Sequence, residues 1–224
     1  LILAFSGSGD AHKLAAPVPP SPVTSRVPTS SPRASVASRT PRKSTATPRR
    51  TSPAAPSSRG CTKSAANGAG GTVPIRICIP AIGVDAGVMQ LGLNTDRTVQ
   101  VPPLSQVSVA GWYKYSPAPG LLGPSVILGH VDSATAGRGV FFDLGRLHSG
   151  DKISMLRADG MIARYRVTRV AQIPKSSFPT AQVYGDTNAA EIRLITCGGQ
   201  FDASAGSYLD NIIAFGSLVS LRKA

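Results

Sequence analysis

After residue 72 the sequence carries no long amphipathic helical pattern; its apolar residues come in short runs divided by Pro, Gly and polar turns. In Pro74-Ile75-Arg76-Ile77-Cys78-Ile79-Pro80 the isoleucines occupy every second position, the period of a half-buried strand. Further strand-like runs cover 125–129, 153–156, 161–170, 192–197 and 211–221. Between 153–156 and 161–170 lies Ala158-Asp159-Gly160, where Asp-Gly signals a hairpin. Only 140–147 is expected to form a short helix. Many short strands with almost no helix predict an all-β barrel or sandwich over 73–224, a length that can enclose one core.

The residues upstream cannot join that core. Residues 11–72 hold ten prolines and ten of the 24 Lys and Arg, with no acid and no aromatic. So little large apolar surface cannot offset the entropy of ordering the backbone, which predicts a disordered Pro/Ser/Thr/Arg-rich linker. Residues 1–72 carry ten bases against Asp10, whereas 73–224 carry fourteen bases against ten acids, so the high pI belongs mainly to the tail. Charge alone would suit nucleic acid, an anionic membrane surface or wall polymers equally. Without interleaved aromatics to stack on bases, no specific nucleic-acid role is expected, and a solvated spacer describes the segment best. Residues 1–10, opening Leu1-Ile2-Leu3-Ala4-Phe5, read as the end of a signal or anchor segment whose upstream part is missing from this chain. Membrane attachment is expected through that missing part.

Three cysteines, at 61, 78 and 197, give no even framework, and no Cys/His cluster has zinc spacing. The folded part has one Glu and scattered Asp, so neither a metal nor a cofactor is expected.

Two groups capable of chemistry stand where strands stop. His130 follows Val126-Ile127-Leu128-Gly129, and Cys197 follows Ile192-Arg193-Leu194-Ile195-Thr196. A thiol becomes a nucleophile when a neighbouring imidazole takes or balances its proton, because thiolate is the reactive form. Gly198 and Gly199 would let a substrate backbone approach the sulfur. Taken singly, such a cysteine is more often a small buried hydrophobe, and such a histidine a satisfied rim residue. Cys78, in its alternating strand, reads as structural. His148, in a polar turn, reads as solvent-facing. Asp132 and Ser133 read as shaping the loop beside His130 by capping a turn rather than acting in catalysis.

Taken together, the ordered segments resemble a class F sortase of actinobacteria. They are Arg76-Ile77-Cys78-Ile79-Pro80-Ala81-Ile82-Gly83-Val84-Asp85, Gly111-Trp112-Tyr113, Val126-Ile127-Leu128-Gly129-His130-Val131-Asp132-Ser133, Gly139-Val140-Phe141-Phe142, Phe178-Pro179-Thr180, and Leu194-Ile195-Thr196-Cys197-Gly198-Gly199 with Phe201-Asp202 and Tyr208, Asp210 and Asn211. The resemblance implies a closed eight-stranded β-barrel and a cysteine transpeptidase, monomeric and extracytoplasmic, anchored to the membrane and facing the wall. Cys197 would be the nucleophile and His130 the general acid and base. The substrate would be a C-terminal sorting signal of the LPXTG kind, held as a thioacyl enzyme and passed to an amine of a wall precursor or another protein. A departure accompanies the likeness. Such enzymes normally carry an arginine on the strand after the cysteine, yet none occurs between Cys197 and Arg222, and Leu209 occupies that region. Arg193 shares a strand face with Cys197 but lies about 13 Å along it, out of reach. Arg76, Arg138, Asn211 or backbone amides are left as replacements. The alternative is a catalytically weak or silent sortase-like binding module.

Overall fold

The computed structural model describes residues 71–224. The tail, Cys61 and the possible anchor segment therefore lie outside the described residues. Within them the strands are β1 (Pro74–Ile79), β2 (Val84–Leu91), β3 (Ala110–Tyr113), β4 (Gly123–Leu128), the two-residue β5 (Asp132–Ser133) and β6 (Gly137–Arg138), β7 (Lys152–Arg157), β8 (Met161–Pro174), β9 (Ala190–Asp202) and β10 (Ser207–Lys223). Eight of these close into a barrel in the order β1-β2-β3-β4-β9-β10-β8-β7, with β7 pairing back onto β1. Closure leaves no free sheet edge, which otherwise invites pairing with other chains. The eight-stranded closed barrel expected from the sequence is the fold observed.

The alternation of each strand divides its residues between two faces. Ile77, Ile79, Ile127, Ile153, Met155, Tyr165, Ile192, Leu194, Ile212 and Ala214 belong to the main core cluster inside the barrel. Their neighbours Val126, Leu128, Ile195, Ile213 and Phe215 face outward, into a second apolar cluster with Val183. That outer layer is capped by α1 (Thr180–Tyr184), a helix absent from the sequence expectation. Conversely, 140–147 is not a helix: only Leu144–Arg146 forms a single 3-10 turn. Its leucines instead pack Leu144 and Leu147 fully into the core, a demand that a loop meets as well as a helix does. Strands β2 and β3 also went unread, because β2 alternates half-buried with exposed residues and β3 has only four.

Cys78 is buried in β1, but its expected state needs correction. It is disulfide-bonded rather than a free thiol. The spacing of the cysteines hides this, because a bridge joins residues close in space rather than in sequence.

Candidate active site

Two parallel strands set the site. β4 and β9 pair in parallel from Gly123↔Ala190 to Leu128↔Ile195, and the Gly129 amide still donates to the Ile195 carbonyl at 3.0 Å. Both strands run the same way, so two residues beyond Leu128 and Ile195 stand His130 and Cys197. The last pair, Leu128↔Ile195, thus lies two residues before each of them, and by strand alternation both fall on the outward-facing parity.

Past Gly129 the chain leaves the sheet and is held by the segment after β6. The Phe141 amide donates to the His130 carbonyl at 3.0 Å, and the Gly139 amide to the Val131 carbonyl at 2.8 Å. Gly139 is required here: a Cβ at this position would lie 2.3 Å from the His130 carbonyl oxygen. The imidazole is buried, with Nε2 at 2.6 Å from the Pro102 carbonyl. A carbonyl can only accept, so Nε2 bears the hydrogen in this contact.

Cys197 is a free, buried thiol packed with Val131, Phe142 and Tyr208, with Phe201 at the margin. Burial pushes it up to about 11, Lys175 opposes that through its charge and a hydrogen bond to the sulfur, and Asp132 adds to it. Asp132 is itself buried, and the Tyr208 hydroxyl donates to its Oδ2 at 2.6 Å, tying β5 to β10. Burial raises this carboxyl above its usual range, partly offset by Tyr208 and His130. The turn-capping expectation thus fits Ser133, whose Oγ accepts the Thr135 and Ala136 amides at 3.4 Å, but not Asp132.

The residue facing Cys197 across the β9–β10 ladder is Asn211. It is completely buried, and neither its Nδ2 nor its Oδ1 has a hydrogen-bond partner. Leu209 falls at a register shift between Tyr208 and Asp210 and is 47% exposed, so it does not face the sulfur. The other arginines are engaged elsewhere. Arg76 pairs with Asp85 at 2.6 Å, and Arg138 lies over the Phe142 ring at 4.3 Å. Arg193 donates to the Gln182 carbonyl at 3.1 Å and packs its guanidinium 4.8 Å from the Phe215 ring centre. His148 is exposed in its turn, as expected. The two glycines after the cysteine have packing roles that the sequence reading missed. A Cβ at Gly198 would meet Ile212 at 2.5 Å, and Gly199 has φ +78° with the Asp210 carboxylate filling the space beside it.

A sortase-domain family model matches residues 77–219. The chain belongs to the sortase family. No curated relative matches it. Among solved structures, sortase A of Listeria monocytogenes is 22% identical, aligning over 68% of this chain and 91% of its own with a TM-score of 0.51. Sortase C-1 of Actinomyces oris is 21% identical over 65% of this chain and 71% of its own, with a TM-score of 0.50. Sortase C of Streptococcus pneumoniae is 20% identical over 66% and 67%, also with a TM-score of 0.50. At these identities the likeness is one of fold. As a sortase, the chain is a cysteine transpeptidase, of a family that acts on sorting signals and amine acceptors. Among the described residues of this sortase, no helix is long and apolar enough to cross a membrane.

Sequence reasoning overlooked two members of the site. Asp132 was assigned to a turn, and Lys175 was passed over entirely. Lys175 follows Pro174 at the end of an unusually long run, where the only sequence signal is a base placed after the last strand residue. The reading had sought the missing charge among arginines, downstream of Cys197 and then at Arg76, Arg138 and Arg193, and had not weighed a lysine.

Proposed function

We propose that this sortase, of the class F type, cleaves an LPXTG-like C-terminal sorting signal and joins it to an amine at the cell surface, with Cys197 as nucleophile and His130 as proton carrier. The observation that supports the reading is the parallel β4–β9 register, whose last pair, Leu128↔Ile195, lies two residues before His130 and two before Cys197. The thiol proton passes to the imidazole as the sulfur bonds to the scissile carbonyl carbon, and the carbonyl electron pair moves onto oxygen. Collapse of that intermediate breaks the C–N bond, and His130 returns the proton to the departing amine. In the second half an incoming amine attacks the thioester and gives its proton to His130, and the C–S bond breaks. Asn211, buried opposite the sulfur with its amide unpaired, is a donor suited to the negative oxygen. A cavity of about 540 Å³ adjoins Pro102, the residue holding His130; its lining mixes Met89, Leu91 and Val101 with the polar Gln90, Asn94, Asp96 and Gln100, which offers contacts to both the side chains and the backbone of such a signal.

The disulfide at Cys78 supports an oxidising, extracytoplasmic setting. In this reading the domain is 73–224, and residues 11–72 form the linker to a membrane segment upstream.

Mass spectrometry with a panel of LPXTG-like peptides tests the proposal. A thioacyl mass increment is expected on Cys197 and on no other residue. Cys197→Ala should abolish both adduct and cleavage, and His130→Ala should slow cleavage by about 10²–10⁴-fold. Cleavage by Cys197→Ala at the wild-type rate would overturn it.

A further inference from the structure

We infer that Lys175 is the cation of this site, pairing with the Cys197 thiolate once its proton has left and donating to the oxyanion of the tetrahedral intermediate. The second half of that statement rests on the transpeptidase reading; the first does not.

The topology explains how a residue more than twenty positions before the cysteine comes to meet it. In the order β9-β10-β8, the last pair of β8 is Pro174↔Asp210, and Asp210 pairs on its other side with Gly198. β8 therefore ends one strand away from the position adjacent to Cys197. The chain then turns at once, through the 3-10 turn Lys175–Ser177, which packs on β10. Two strand spacings are about 9.6 Å, which a turn folded over β10 and an extended lysine together cover.

The ammonium is anchored. It donates to Ser207 Oγ at 2.7 Å, at the start of β10, and its charge and hydrogen-bonding capacity oppose the effect of burial on the Cys197 thiol. Its half-buried position shields it from bulk water without stripping it of partners. The other groups around the sulfur do not supply positive charge permanently. Asp132 from β5 opposes ionisation, Tyr208 from β10 is a neutral donor spent on Asp132, and His130 must change charge during the reaction. Asp210, opposite Gly198, accepts from Gln172 Nε2 at 2.5 Å. With no arginine between Cys197 and Arg222, a lysine arriving from the preceding strand meets the need for fixed positive charge by another route. Throughout the cycle Lys175 keeps its protons; it moves none.

The test has two readouts. The first is the pH dependence of Cys197 alkylation by iodoacetamide, which needs no peptide. Lys175→Met should shift that profile upward by a pH unit or more, slowing alkylation about tenfold at pH 8, and Lys175→Arg should restore it. The second is the rate of thioacyl formation with a peptide that the wild type accepts, which Lys175→Met should lower by about 10²–10³-fold with little change in KM. An unchanged alkylation profile in folded Lys175→Met overturns the inference. Failure of the wild type to acylate with any peptide counts against the transpeptidase reading and the oxyanion role, while the alkylation profile still decides the thiolate role. If Lys175→Met does not fold, Ser207→Ala, which releases the anchor, should shift the profile in the same direction by a smaller amount; no shift there overturns it equally.

Discussion

The inside of the barrel and the rim around Cys197 are both buried, yet they are built on opposite rules. Inside, the side chains are mostly aliphatic or aromatic and meet one another directly, with the small hydroxyls of Ser125 and Thr196 as the unpaired exceptions; the Tyr165 hydroxyl is satisfied by accepting the Gly120 amide at 2.7 Å. At the rim a thiol, a carboxylate, an imidazole and an ammonium meet, and an asparagine is sealed with both ends of its amide unpaired. Leaving a buried polar group without a partner costs about 1–3 kcal/mol, so the rim is an expense that stability alone would not sustain. The contrast teaches where to look. The interior holds the fold, and the rim holds the chemistry at the fold's cost.

That division can be attacked from the inside first. Phe141 is fully enclosed in the main core although its backbone borders His130. Phe141→Ala should cost about 3–5 kcal/mol, the largest effect expected here, and be read as a fall in urea midpoint. If the two regions are separate, the alkylation pH profile of the still-folded fraction keeps its shape. A loss of stability under 1 kcal/mol would show that the rim, not the barrel, bears the core's load.

The opposite change sharpens the comparison. Asn211→Ala removes the unpaired amide and leaves the ladder intact. Acylation should fall by about 10²–10³-fold while thermal stability stays level or rises, since a desolvated group without partners has been deleted. A fall in stability with unchanged acylation would make Asn211 a structural residue.

How much of this was legible follows the same divide. The interior was readable because period-two alternation is local: Ile75, Ile77 and Ile79 announce β1, and 192–197 announces β9. His130 and Cys197 were readable because each follows an apolar run and the ordered motifs linked them, although Cys197 lies inside β9 rather than where that strand stops. The partners were not readable. Asn211 faces Cys197 only through the β9–β10 register, and the shift beside Leu209 misplaces any count made along the sequence. Lys175 arrives only through the strand order, and the Asp132–Tyr208 bond joins residues 76 positions apart. Periodicity carries no information about which strands become neighbours, so a site assembled across three strands stays hidden even when each strand is correctly drawn.

The smallest effect tests the electrostatics of the rim alone. Asp132→Asn keeps an oxygen to accept the Tyr208 hydroxyl but removes the negative charge that helps hold the thiol up at about 11. Between neutral pH and that value the thiolate fraction rises about tenfold per pH unit, so alkylation of the wild type should climb steadily up to about pH 11. Removing the charge lowers the thiol's value, so the variant should alkylate several-fold faster at pH 8 and converge with the wild type above pH 11. The carboxyl lies above its ordinary value because it is desolvated, and the sign for stability follows. The folded state holds the proton more tightly than the unfolded chain, so the contribution of Asp132 is full below the usual carboxylate range and declines as pH rises through its folded value. At neutral pH Asp132→Asn should therefore cost little stability. Slower alkylation in this variant would mean that Asp132 acts by fixing the position of Tyr208 against the sulfur rather than by its charge.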